Sequence, residues 1–209
     1  MIDYRLYLVT DDPSRYRGDW LENVAAAVDS GVTCVQYRDT ESDATALFGR
    51  VRRLQDLLRA RRIPLIVNNG AELAATIRAD GVHVGQGDLP PRKVREIVGT
   101  ACEIGYSITD LSQIDSRAEE IAASDCLGIG PVYDATRTKS DAARAMGPDG
   151  LAEIVARVPE KANVAIGGVT LETAPAILAA GAKGLAVVSA FSRAEDPAAV
   201  ARSFRRLFG

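Results

Sequence analysis

Eight short apolar runs, each followed by a helical pattern, divide this chain from end to end. The runs are "LYLVT" (6–10), "VTCVQY" (32–37), "PLIVN" (64–68), "GVHV" (81–84), "CEIGYS" (102–107), "CLGIG" (126–130), "NVAIGG" (163–168) and "GLAVVS" (184–189). Their interiors are continuously apolar rather than alternating, as in parallel strands covered on both faces. Between them, Asp19 and Glu22 stand three apart before an apolar face, which predicts an N-cap with its capping box. From Ser42 to Arg62 a longer stretch places Ala44, Leu47, Phe48, Val51, Leu54 and Leu58 at three-to-four spacing, the buried face of an amphipathic helix. "LSQIDSRAEEIAAS" predicts a further helix. Eight such units predict an α/β protein folded as a single-domain (β/α)8 TIM barrel over residues 1–209, about 26 residues per unit. A doubly wound open sheet is the competing architecture, because parallel strands alone do not establish closure. The count of eight favours the barrel.

Composition narrows the function classes. With 209 residues, 47% of them apolar, the chain can bury a full core as one domain. Its formal net charge of −3 is small and the two signs are interspersed, so nothing resembles a nucleic-acid-binding stripe. No apolar run is long enough to span a membrane, and "MIDYRLYLVTDD" lacks the order of a signal peptide. A soluble, cytoplasmic protein is expected, with room left for a homo-oligomer. Cys34, Cys102 and Cys126 are odd in number, widely spaced and set in apolar runs, the pattern of packed reduced thiols. His83, the lone histidine, reads as a packed strand residue.

Residues capable of chemistry gather where the runs end. Gln36 and Arg38 close the second, and Asn68 and Asn69 the third; Gly85, Gln86 and Asp88 follow the fourth, and Ser107 and Thr109 the fifth. Thr136, Arg137, Thr138 and Lys139 follow the sixth, Gly167 and Gly168 end the seventh, and Ser189 ends the eighth. In a parallel barrel all of these converge on the C-terminal rim, where such enzymes hold their active sites. Turns and caps explain many glycines and asparagines at these junctions, but not Gln36, Arg38 or Lys139. The double glycine and Ser189 suit a phosphate, since exposed backbone N–H groups can approach its oxygens. Arg38 and Lys139 supply cations for a second anion, with Gln36, Asn68 and Ser107 as neutral donors. Asp88 is open to two readings: a Mg²⁺ ligand near phosphates, or the N-cap of the helix after "LPP".

These motifs together resemble those of the thiamine phosphate synthase family. "VQYRD", "GVHVGQGDLP", "GIGPVYDATRTKSDA", "AIGGV" and "VVSAF" occur in the family's order and spacing. The resemblance implies a transferase of thiamine biosynthesis that joins a pyrimidine methyl diphosphate to a thiazole phosphate, releasing pyrophosphate, with Mg²⁺. It implies that Gln36, Tyr37, Arg38, Asp39, Thr40, Asn68, Ser107 and Lys139 line the pyrimidine diphosphate, with Arg38, Ser107 and Lys139 catalytic. Thr136, Arg137, Thr138, Gly168, Val188 and Ser189 would take the thiazole phosphate, and Asn69 and Asp88 the metal. The reaction it implies is dissociative: diphosphate leaves first, and the thiazole nitrogen captures the cation. The loop carrying Thr136 to Lys139 is expected to fold over both reactants.

Three positions depart from the family pattern. Thr40 stands where Lys is usual, Asn69 where the first Mg²⁺-binding Asp is usual, and Gly70 where Arg is usual. An asparagine ligates Mg²⁺ through its carbonyl oxygen without contributing a charge. Arg137 is expected to compensate for Gly70. Two other functions are compatible with the scaffold: a thiazole tautomerase, whose expected histidine near Thr109 is missing, and a non-catalytic binder of thiamine precursors.

Overall fold

The computed structural model describes residues 1–39, 44–134 and 144–209. Eight strands, β1 (Leu6–Val9), β2 (Cys34–Tyr37), β3 (Leu65–Asn68), β4 (Gly81–Val84), β5 (Glu103–Ile108), β6 (Cys126–Ile129), β7 (Ala162–Ile166) and β8 (Leu185–Val187), close a parallel barrel in chain order. Closure comes from β1 pairing β8, with Leu6, Tyr7 and Leu8 opposite Leu185, Ala186 and Val187. The open-sheet alternative is thereby removed. Each apolar run of the sequence overlaps one strand, with β5 running one residue past its run, to Ile108, and β7 starting one residue before its run, at Ala162. Among the described residues no helix is long and apolar enough to cross a membrane.

The runs are apolar throughout because both strand faces are covered. Leu6, Leu8, Val35, Leu65, Val67, Val82, Val84, Ile104 and Tyr106 point outward into the layer shared with the helices. Tyr7, Val9, Cys34, Ile66, Cys126, Val164 and Ala186 form a separate cluster inside the barrel. The N-terminal mouth is plugged: Tyr4 Oη donates to Glu103 Oε2 at 2.9 Å and the Ile2 amide to Oε1 at 2.7 Å. That leaves the C-terminal mouth for chemistry.

Helices follow the strands: α1 (Trp20–Val28), α2 (Ala44–Arg61), α3 (Ala71–Ile77), α4 (Pro91–Val98), α5 (Gln113–Ser116), α6 (Ala118–Ala123), α7 (Gly147–Arg157), α8 (Ala174–Ala179), α9 (Ser189–Ser192) and α10 (Pro197–Arg205). Asp19 caps α1 as expected, its Oδ1 accepting from the Leu21 and Glu22 amides at 2.8 and 3.0 Å. Two expectations need correcting. Phe48 is 43% exposed rather than core-facing. The buried stripe of α2 runs through Val51, Leu54, Gln55 and Leu58, and Phe48 lies at its edge near the first turn. Gln55 holds a position an apolar residue could have taken, donating to the Ile77 carbonyl at 2.8 Å. The helix expected after β5 is two, broken at Arg117, whose φ of −123° leaves the helical region.

Candidate active site

Strand alternation decides what lines the mouth, because every second side chain points inward. On β2 Cys34 faces in, and so does Gln36, buried with its Nε2 donating to the Tyr7 hydroxyl at 2.7 Å. On β3 Ile66 faces in, which puts Asn68 in the layer above it. His83 of β4 is the register partner of Asn68. On β5, Ser107 follows, its Oγ 2.9 Å from His83 Nε2. Four adjacent strands thus set Gln36, Asn68, His83 and Ser107 side by side on one wall of the upper barrel.

The His83 ring fits because two neighbouring strands carry no side chain where it lies. A Cβ on Gly128 would come 2.8 Å from the ring's Cε1, and one on Gly105 would fall closer still to Nδ1. Ser107 is held from a second side, since Gln86 Nε2 donates to its carbonyl at 2.7 Å. Gln86 also donates to Gln113 Oε1 at 3.1 Å, and Gln113 bonds both the amide and the hydroxyl of Thr109. So "GVHVGQGD" delivers two side chains to Ser107, a histidine to its hydroxyl and a glutamine to its backbone.

At the rim beside this wall stands Arg38. Its amide donates to Thr10 Oγ1 at 2.9 Å, and its guanidinium comes 3.9 Å from Asp11 Oδ1. Burial lowers the guanidinium's pKa from its ordinary value, and the Asp11 charge opposes that shift. Arginine remains a cation at neutral pH all the same. Asp11, whose side chain is 2% exposed, also accepts from Arg15 Nη1 at 3.2 Å and from Ser192 Oγ at 3.1 Å. Tyr37 alternates outward: its ring lies 6.3 Å from that of Trp20 and its hydroxyl donates to Asp39 Oδ2 at 2.8 Å. Asp39 is also paired with Arg50 Nη1 at 3.2 Å.

Asn69 sits at the top of β3 with φ of +60°, its amide donating to the His83 carbonyl at 2.8 Å. Asparagine tolerates this left-handed conformation better than most residues, which gives its presence a backbone reason. Asp88 is not the N-cap of α4. That position belongs to Pro90, while Asp88 Oδ2 accepts from the Gly85 amide at 2.7 Å and closes its own turn. Among the described residues no three His, Cys, Asp or Glu side chains cluster as a metal site. Asn69, after β3, and Asp88, after β4, carry side-chain oxygens with one formal charge between them, the donor type that Mg²⁺ accepts.

At the β7–α8 junction, Gly167 and Gly168 have φ of +89° and +66°. A Cβ on Gly167 would lie 2.6 Å from Pro131 Cα, so the chain leaving β6 packs directly on this turn. Val188 and Ser189 open the short α9 after β8. Thr40, Thr136, Arg137, Thr138 and Lys139 lie outside the described residues. The three thiols are buried and unpaired with one another, and burial pushes Cys102 up to about 11, so none offers a ready thiolate.

Sequence reasoning did not foresee His83 against Ser107, Gln86 on the Ser107 backbone, or Asp11 beside Arg38. The signal for the first was a pair of strand glycines, Gly105 and Gly128, far from His83 in sequence.

The chain matches the family model described as thiamine monophosphate synthase over residues 6–191. It is 42% identical to the thiamine-phosphate synthase of Azorhizobium caulinodans over 205 residues, which is 98% of this chain and 95% of that protein. Identity to the thiamine-phosphate synthase of Chloroflexus aurantiacus is 39% over 207 residues, covering 99% and 94%. Among solved structures, the thiamine phosphate pyrophosphorylase from Pyrococcus furiosus superposes with a TM-score of 0.86 at 29% identity, covering 98% and 95%. With a match over most of its length and near full-length relatives at this identity, the chain belongs to the thiamine monophosphate synthase family.

Proposed function

We propose that this protein is a thiamine phosphate synthase, coupling 4-amino-2-methyl-5-pyrimidinylmethyl diphosphate with a thiazole phosphate to give thiamine phosphate and pyrophosphate. The observation that carries this reading is the inner wall of Gln36, Asn68, His83 and Ser107 with Arg38 at its rim, on a barrel of this family. The wall offers neutral hydrogen-bond donors and the rim a fixed cation, the equipment for a diphosphate leaving group.

In this reading the carbon–oxygen bond to the diphosphate breaks first and its electron pair leaves with pyrophosphate. The pyrimidine methyl cation, stabilised by its ring, is captured by the thiazole nitrogen lone pair, forming the carbon–nitrogen bond. No side chain acts as nucleophile, consistent with three buried thiols. Gln36, Arg38, Asn68, Ser107 and Lys139 hold the diphosphate half, with Thr40 beside them. Tyr37 and Asp39 serve it by shaping the strand end, since their side chains pair with each other. Thr136, Arg137, Thr138, Gly168, Val188 and Ser189 take the thiazole phosphate. Asn69 and Asp88 would hold Mg²⁺, which when bound neutralises leaving-group charge. Alignment of the two rings supplies the rest of the acceleration. A cytoplasmic location accords with such small phosphorylated reactants.

Incubating the protein with both reactants and Mg²⁺, and assaying thiamine phosphate and pyrophosphate, tests the proposal. Equal amounts of both products are expected. Binding of both reactants without products would instead favour a precursor-binding protein, the reading that the single charge of the Asn69 and Asp88 pair would suit. A tautomerase finds no base at Thr109, whose amide and hydroxyl are both bonded to Gln113.

A further inference from the structure

The geometry points to His83 as a positioning residue that turns the Ser107 hydroxyl toward the departing diphosphate. This rests on the reading above, in which Ser107 faces that group. A serine hydroxyl carries one proton and two lone pairs, and it rotates unless a partner fixes it. To assist departure, the proton must lie on the substrate side, because the leaving oxygens gain negative charge as the bond breaks. An acceptor on the barrel wall would draw the proton away. A donor there occupies an oxygen lone pair and leaves the proton for the substrate. His83 Nε2, 2.9 Å from Ser107 Oγ, is that donor when it carries the ring proton.

The surroundings support a positioning role rather than simple filling of the core. His83 and Ser107 are both half-buried at the mouth, not among the fully buried side chains. Gln86 fixes the Ser107 carbonyl at 2.7 Å, so the residue's backbone and side chain are held from separate elements. The ring is confined by absence: Gly105 is the register partner of His83 on β5, and Gly128 the partner of Ser107 on β6. A methyl group on Gly105 would overlap Nδ1 and swing the ring away while leaving both polar groups in the molecule.

The test measures kcat and KM for the pyrimidine diphosphate in the full-length protein, with melting temperatures alongside. The variants are His83→Phe, His83→Gln, Gly105→Ala and Ser107→Ala, plus the first three in the Ser107→Ala background. His83→Phe is expected to lower kcat by about 10- to 100-fold, with KM within about twofold, as for loss of alignment at a reacting bond. His83→Gln, which keeps an N–H near the position of Nε2, should recover part of the loss. Gly105→Ala should lower kcat in the same sense. In the Ser107→Ala background each of the three should cost less than about twofold more, because the hydroxyl they act through is gone. Equal losses in both backgrounds would overturn the inference, as would a loss confined to KM. Should His83→Phe fail to fold, Gly105→Ala and His83→Gln decide the matter by the same comparison. A wild-type protein that makes no thiamine phosphate would remove the underlying reading, and this inference with it.

Discussion

Beside Arg38, the Asp11 carboxylate takes hydrogen bonds from Arg15, from Ser192 and from the Asp12 amide, the last at 3.0 Å. These partners come from the turn after β1 and from α9, and Arg38 faces the same carboxylate from the end of β2. One buried anion therefore ties together three rim segments, two of which belong to different reactant sites in the proposed function. Its removal leaves Arg15 and Ser192 without their acceptor and Arg38 without the charge that offsets its burial. Asp11→Ala is expected to lower stability by about 1–3 kcal/mol in denaturant titrations. It should also raise KM for the pyrimidine diphosphate, as Arg38 gains rotational freedom. Asp11→Asn, which keeps acceptor oxygen but no charge, should fall between. Unchanged KM in both variants would show that Arg38 holds its place without Asp11. In the sequence Asp11 is one of two adjacent aspartates after "LYLVT", and nothing in that pair says which one turns inward.

Helix and strand identities were legible because burial on both strand faces and on one helix stripe writes itself into the order of residues. Every apolar run overlaps its strand, and the Asp19 carboxylate caps α1 by accepting from two backbone amides. Asp19→Ala is expected to cost about 1 kcal/mol, seen as a melting temperature lower by about 2–4 °C for a chain of this length. A shift within error would mean that tertiary packing alone sets the start of α1. What the pattern concealed is the side of each element. Continuous apolar strands hide their alternation, so Gln36 and the outward Tyr37 looked equivalent at the end of β2. The His83 contact depends on glycines of two other strands, a relation that only barrel register creates. Likewise the break at Arg117 interrupts a stretch whose apolar spacing reads as one helix.

At the scale of the whole molecule, closure in chain order converts eight separate strand ends into one ring. The N-terminal mouth is sealed by Ile2, Tyr4 and Glu103, and the C-terminal mouth gathers the donors. In the proposed function the diphosphate half falls to β2 through β5, and the thiazole phosphate to the junctions after β7 and β8. Resemblance to a family supplied the assignment of reactants, while the ring supplies a reason that distant motifs work together. The most direct measurement is a crystal structure with thiamine phosphate, pyrophosphate and Mg²⁺. The account predicts pyrophosphate against Arg38 and Ser107, with the metal near Asn69 and Asp88 and the phosphate of the other product at Gly168 and Ser189. Both products bound away from the C-terminal mouth, or pyrophosphate with no contact to Arg38 or Ser107, would contradict it.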